Sequence, residues 1–118
     1  MSFQVREHVR YKMKDGMLAA LPVPGTLKVI IGQIIDISEN GLALWHKDEI
    51  ATAVNKADLV LMGHEHSDDP VFEVPARLVY EKDLGGAYRS GFQFGDLSQT
   101  QTSQLASFIL SNIESITV

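Results

Sequence analysis

The sequence predicts a mainly β fold, a small six-stranded antiparallel β-barrel with a C-terminal α-helix. Short apolar runs bounded by turn residues recur between residues 16 and 95, which is typical of strands. The alternation of inward and outward residues in these runs favours closure into a barrel, because an open sheet would leave exposed edges. The last apolar stretch instead has a helical period.

The six strands follow one another along the chain with turn-rich segments between them. We assign them to residues 16–21, 27–36, 41–46, 57–64, 71–81 and 87–95. Turn residues are concentrated in segments 22–25, 66–70 and 83–86. Segment 47–56 fits a helical turn or a loop, and the sequence does not decide between them. Trp45, the only Trp in the chain, is expected to fill the barrel core.

The C-terminal helix is predicted over residues 98–114. Ser98 and Gln101 have the spacing of a capping box, in which each side chain bonds a backbone amide of the other residue. Apolar residues then form one stripe at helical spacing, which we expect to pack on the barrel rather than bind a cofactor: Leu105, Phe108, Ile109 and Ile113.

Composition points to one cytoplasmic domain over residues 1–118. The chain has no Cys, which excludes disulfides and thiolate zinc sites and fits a reducing compartment. No apolar run approaches the roughly 20 residues needed to span a bilayer, so we expect no membrane insertion. The N-terminal residues also lack the apolar region of a secretory signal.

The net charge of −5 is unevenly distributed. Residues 1–34 carry five Lys or Arg and two Asp or Glu, a local charge of +3. Residues 35–118 carry five Lys or Arg and thirteen Asp or Glu, a local charge of −8. Scatter in a short chain is one interpretation. The other is a cationic patch for a discrete anion, and the acidic remainder argues against DNA or RNA binding, which needs a basic face.

Two short motifs provide candidate ligand-binding residues, Arg6-x-x-x-Arg10 and Asp36-x-Ser38-x-x-Gly41. Arg can bond a phosphate or a guanine edge bidentately. Asp and Ser add directional hydrogen-bonding groups, and Gly permits close backbone approach. Either motif alone fits surface charges or an ordinary turn. In this order, they favour a site for a small planar anion.

This arrangement resembles the PilZ domain family, small β-barrel modules that bind cyclic di-GMP (c-di-GMP). The resemblance rests on the two motifs, on the apolar residues around the second motif, and on the strand at 91–97 before the helix. It implies a single PilZ domain over 1–118, with residues 1–12 as a flexible arm that carries the first motif.

The resemblance also implies roles for the motif residues. Arg6 and Arg10 would contact a guanine edge and the phosphates, Asp36 and Ser38 would recognise guanine, and Gly41 would shape the turn. These roles agree with the chemistry, since guanine offers acceptors to an Arg fork and donors to a carboxylate. No catalytic residue, metal or cofactor is implied, so we do not expect an enzyme.

Other residues leave alternatives open. Many members have a further Arg before the first motif, where this chain has Val5. Tyr80 could stack on a base or belong to the barrel wall. Arg77 and Arg89 could reach the site or form cross-strand ion pairs. His8 could bond a phosphate or be exposed.

One cluster has the composition of a metal site. His64 and His66 would share one face of a strand, with Asp68 and Asp69 nearby, and such side chains can hold zinc. A polar hairpin end is the favoured interpretation, because the spacing is common and Pro70 follows at once. A metal-dependent hydrolase is therefore the least supported function.

The predicted function is a c-di-GMP receptor or adaptor that changes its surface on binding the ligand and signals to an unidentified protein partner. The family implies processes such as motility, biofilm formation or exopolysaccharide control. The alternative is a ligand-independent PilZ-like adaptor, and the intact pair of motifs argues against it. The sequence does not indicate ligand stoichiometry or oligomeric state.

Overall fold

The computed structural model describes residues 9–51, 54–63 and 71–117. In chain order the elements are β1 (Arg10–Met13), β2 (Leu18–Pro22), β3 (Val29–Ile37), β4 (Gly41–His46), β5 (Lys56–Met62), β6 (Phe72–Asp83), β7 (Tyr88–Phe94), the helix α1 (Gln99–Asn112) and β8 (Ile113–Thr117).

Six of these strands form a closed antiparallel barrel. Strands β2, β5, β6, β7, β4 and β3 are hydrogen-bonded in that order, and the pairing of β3 with β2 closes the ring. They correspond to the six strands that the sequence predicts, and α1 follows them. The prediction of a six-stranded barrel with a C-terminal helix is therefore confirmed.

Two short strands, β1 and β8, lie outside the sequence prediction. β1 extends the sheet beyond β3, with Tyr11 opposite Ile37, and β8 pairs with the other edge of β1. Lys12 Nζ on β1 lies 3.0 Å from Glu114 Oε2 on β8. The hydrogen bond to this carboxylate raises the pKa of Lys12. Together the two strands extend the sheet by two strands beside the end of β3.

These strands correct two predicted boundaries. Residues 10–12, which the sequence assigns to the flexible arm, belong to β1, while residues 1–8 lie outside the described residues. The helix ends at Asn112 rather than at residue 114, because Ile113 turns into extended backbone and begins β8. Ile113 consequently does not belong to the apolar stripe of the helix.

The remainder of the helix prediction is confirmed. Ser98 caps the helix, its hydroxyl accepting from the Gln101 amide at 3.0 Å while the Gln101 side chain accepts from the Ser98 amide at 2.9 Å. The buried residues Leu105, Phe108 and Ile109 face the barrel. Phe108 meets Phe72 of β6 edge to face, with ring centroids 5.7 Å apart. The helix therefore caps the barrel core.

Trp45 does not fill the core, which corrects the sequence prediction. Leu44 and His46 are buried on the inner side of β4, so the strand alternation places Trp45 on the outer side, where it is 38% exposed. Lys47 Nζ lies 6.0 Å from the centre of its ring. The inner position at the end of β4 is taken by His46.

The undecided segment 47–56 connects β4 to β5, which begins at Lys56. Its described residues contain one helix-like bond, from the Val54 amide to the Ile50 carbonyl at 2.9 Å. Within the described ranges, no helix is long and apolar enough to cross a membrane.

Candidate ligand-binding site

The second motif forms the tight connection between β3 and β4. Asp36 lies near the end of β3, Ser38 lies in the turn, and Gly41 begins β4. The Ser38 amide donates to the Gly41 carbonyl at 2.8 Å, and the Asn40 amide donates to the Ser38 hydroxyl at 3.2 Å. Ser38 is buried. Its hydroxyl therefore braces the turn, and contact with guanine stays a prediction.

Gly41 is required by a close backbone approach rather than by an unusual backbone angle. A Cβ at this position would overlap the carbonyl oxygen of Phe92 on β7 and would lie 3.2 Å from its carbonyl carbon. The neighbour is backbone in the middle of a sheet, so it cannot move aside. The sequence motif thus fixes how closely β4 and β7 approach beneath the site.

Asp36 lies between two guanidinium groups from different strands. Arg10 Nη1 of β1 donates to Asp36 Oδ1 at 2.7 Å, and Arg89 Nη2 of β7 donates to Asp36 Oδ2 at 3.4 Å. The Asp36 side chain is 18% exposed, whereas that of Arg10 is 54% exposed. The carboxylate is held in place, and the Arg10 side chain remains accessible to an anion.

Tyr80 and Gly91 form the floor of the site on the outer face of the barrel. The two residues are opposite each other on β6 and β7, and a Cβ on Gly91 would overlap the Tyr80 ring. The ring therefore lies over the glycine, and its hydroxyl accepts from Arg89 Nε at 3.2 Å. Tyr80 is 43% exposed, so its aromatic face is not part of the barrel core.

These elements surround a shallow cavity of about 200 Å³. Its lining includes residues of both motifs and of the floor: Arg10, Ser38, Gly41, Tyr80, Gly91 and Gln93. The cavity is smaller than the roughly 300–1,000 Å³ of a typical small-molecule pocket, so a dinucleotide would lie partly across the outer surface. The Tyr80 ring and the Arg10 guanidinium line this cavity, and the Asp36 carboxylate is bonded to Arg10. This combination suits a planar, anionic ligand.

The structure brings together four of the five predicted site residues, namely Arg10, Asp36, Ser38 and Gly41. The fifth, Arg6, lies outside the described residues, as do Val5 and His8. The predicted pair of metal ligands, His64 and His66, lies outside them too, together with Asp68 and Asp69. Among the residues that the structure describes, no group of His, Cys, Asp or Glu is arranged to hold a metal ion.

The sequence left the roles of Arg77 and Arg89 open, and the structure separates them. Arg89 forms an ion pair with Asp36, two strands away, rather than with a cross-strand neighbour. Arg77 donates to the Gln93 side-chain oxygen at 2.5 Å. The close packing of Tyr80 on Gly91 was not predicted, although an isolated Gly inside a strand is a known signal of close approach.

A buried polar network supports the site from inside the barrel. His46 Nε2 lies 2.7 Å from the Ser90 hydroxyl, and His46 Nδ1 donates to the Asp48 carbonyl at 2.7 Å. Glu81 accepts from the Ile50 amide at 2.7 Å. The Ser90 hydroxyl in turn donates to Glu81 Oε2 at 3.4 Å. Because His46 and Ser90 are fully buried, these bonds satisfy their polar groups inside the barrel. The network anchors β7, whose outer side carries Arg89 and Gly91.

Comparison with known proteins is consistent with this geometry. The PilZ domain family model matches residues 4–111. Because the match spans most of the chain, this protein belongs to the PilZ domain family. Comparison with curated proteins gave no match.

Solved structures share the fold at low sequence identity. The PilZ domain with c-di-GMP of YcgR from Escherichia coli is 16% identical, with a TM-score of 0.71 and coverage of 92% of this chain and 91% of that chain. The MrkH–c-di-GMP complex from K. pneumonia is 17% identical, with a TM-score of 0.70 and coverage of 92% and 52%. MotI/DgrA, the inhibitor of motility of Bacillus subtilis, is 13% identical, with a TM-score of 0.65 and coverage of 92% and 51%. This chain therefore spans about half the length of MrkH and MotI.

Proposed function

We propose that this protein is a c-di-GMP receptor, without catalytic activity, that changes its surface on binding the ligand and signals to a protein partner in the cytoplasm. The observation that supports it most directly is the 2.7 Å contact between Arg10 and Asp36. This contact joins the first motif to the second across 26 residues of sequence. Family membership and the c-di-GMP complexes of YcgR and MrkH add support.

The chemistry of the ligand matches the side chains around the cavity. A carboxylate only accepts hydrogen bonds, and guanine presents N1–H and an amino group as donors. Arg10 can bond a phosphate or the O6 and N7 acceptors of guanine. The exposed ring of Tyr80 offers a surface for base stacking. Asp36, Arg10 and Tyr80 would thus each contact a different part of the ligand.

Binding would also change the surface around β1. Arg10 lies on this short strand, and its ion pair with Asp36 would be exchanged for contacts to the ligand. We infer that the altered surface of β1 is what a protein partner detects. The net charge of −5 supports a protein partner rather than DNA or RNA.

Calorimetric titration of the whole chain with c-di-GMP tests the proposal. We expect one saturable binding event of micromolar or higher affinity. Arg10→Ala and Asp36→Ala should each weaken binding at least about tenfold, because each removes a charge-assisted contact. Lys14→Ala and Asp58→Asn are matched controls, because they remove the same charges at exposed positions that do not line the cavity.

Absence of binding by the native chain would contradict the receptor proposal and favour the ligand-independent adaptor. Equal losses in the site variants and in the matched controls would also contradict it, since binding would then depend on overall charge. Thermal unfolding of every variant distinguishes lost contacts from lost folding.

A further inference from the structure

Arg89 belongs to neither sequence motif, yet it connects the motif carboxylate to the aromatic floor. Its Nη2 donates to Asp36 Oδ2 at 3.4 Å, and its Nε donates to Tyr80 Oη at 3.2 Å. It lies inside β7, paired with Trp45 of β4 on one side and with Lys82 of β6 on the other. The backbone that carries this guanidinium is therefore rigid.

The two arginines that contact Asp36 differ in their freedom to leave it. The Arg10 side chain is more exposed than that of Arg89, at 54% against 36%, and Arg10 is carried by the short strand β1. A phosphate that attracts Arg10 would withdraw it from Oδ1. Arg89 would still hold Oδ2, because its second bond, to Tyr80, restricts rotation of the guanidinium.

We propose that Arg89 is a positioning residue that fixes the orientation of the Asp36 carboxylate and thereby determines the preference for a guanine base. This inference rests on the proposed function. With Oδ2 held by Arg89, Oδ1 is directed toward the side on which Arg10 stands, where a base donor can replace the guanidinium. Guanine supplies such donors at N1–H and at its amino group.

The test uses native and variant chains with two ligands, c-di-GMP and its inosine analogue, which lacks the amino group. The native chain should bind the inosine analogue more weakly, because the oriented carboxylate then loses a donor. In Arg89→Ala, affinity for c-di-GMP should fall about tenfold. The ratio of the two dissociation constants should also move toward one, because a carboxylate that is free to rotate discriminates less.

Further variants separate orientation from charge. Arg89→Lys keeps the charge but replaces the planar guanidinium fork with a rotatable ammonium group, which does not hold Asp36 and Tyr80 in one fixed geometry. Its ratio of dissociation constants should therefore lie between those of the native chain and Arg89→Ala, and it replaces Arg89→Ala if that variant does not fold. Tyr80→Phe keeps the ring and removes the hydroxyl that Arg89 bonds. The ratio of its two dissociation constants should therefore move slightly toward one. Lys82→Ala removes a charge directly opposite Arg89 and should leave the ratio at its native value.

The outcomes distinguish this inference from the proposed function. If the native chain does not bind c-di-GMP, the receptor proposal itself is wrong. If it binds and Arg89→Ala keeps the native ratio of dissociation constants, only the role of Arg89 is wrong. If the ratio in Lys82→Ala moves toward one as far as it does in Arg89→Ala, the effect is a general one of charge, and the role of Arg89 is wrong.

Discussion

At the scale of single residues, Asp36 and Gly41 contribute to the second motif through different physical effects. Asp36 contributes a negative charge that is partly shielded from water and neutralised from two sides, by Arg10 and Arg89. Shielding makes each of these ion pairs stronger than a fully exposed pair. Gly41 contributes the absence of a side chain where β4 passes the Phe92 carbonyl. Asp36 therefore supplies a charged hydrogen-bond acceptor, and Gly41 allows the two strands to approach closely.

The space at Gly41 gives a direct stability prediction. Gly41→Ala should lower the free energy of unfolding by about 1–3 kcal/mol, because the added methyl group meets sheet backbone that cannot move aside. Gly95→Ala is the matched control, since its Cβ would be in ordinary contact with Pro75 at 3.5 Å. Urea unfolding of both variants measures the difference. Similar stability in the two variants would refute the steric requirement.

At the scale of elements, the barrel strands and the helix could be predicted because their signals are local. Alternating apolar residues and the Ser98 capping box specify them without knowledge of distant contacts. β1 and β8 could not be predicted in this way. The residues of β1 are mostly polar, and β8 follows the helix without a turn. These strands are stabilised mainly by pairing with each other and with β3.

The candidate site likewise has a part that local sequence predicts and a part that depends on distant contacts. Arg10, Asp36, Ser38 and Gly41 could be predicted as candidate site residues from the spacing of two motifs. The contact of Arg89 with Asp36 could not, because it depends on β7 lying two strands from β3 in the closed sheet. Trp45 shows the opposite error. The sequence prediction placed it in the core, but strand alternation decides the side of the sheet on which a residue lies.

The connection between β4 and β5 gives a prediction at the element scale. Glu81 on β6 accepts from the amides of Ile50 and Ala51, at 2.7 Å and 3.3 Å, and its side chain is almost fully buried. Glu81→Ala should lower the free energy of unfolding by about 1–3 kcal/mol, because these amides lose a charged acceptor. Hydrogen exchange at the two amides should accelerate. Glu73→Ala, an exposed position on the same strand, is the control, and equal exchange in both variants would refute the anchoring role.

At the scale of the whole molecule, the distribution of charge matters more than its total. The chain carries −5 overall, yet Arg10 lines the cavity and Arg89 contacts Asp36 and Tyr80 next to it. A ligand with two phosphates would be repelled by the net charge at long range and attracted by these arginines at contact. The Debye length of about 8 Å at physiological salt screens the distant acids more than the contacts. Local charge should therefore dominate binding under such conditions.

The dependence of binding on salt tests this balance. Raising NaCl from about 0.05 M to about 0.5 M should weaken c-di-GMP binding by the native chain, because ions compete with the ligand phosphates for the arginines. Arg10→Ala should show a shallower dependence, since one competing contact is already absent. Lys14→Ala removes the same charge at an exposed position in the turn after β1, and its dependence should match the native chain. A dependence in Arg10→Ala as steep as in the native chain would mean that Arg10 does not contact phosphate. It would then act on guanine or on Asp36 alone.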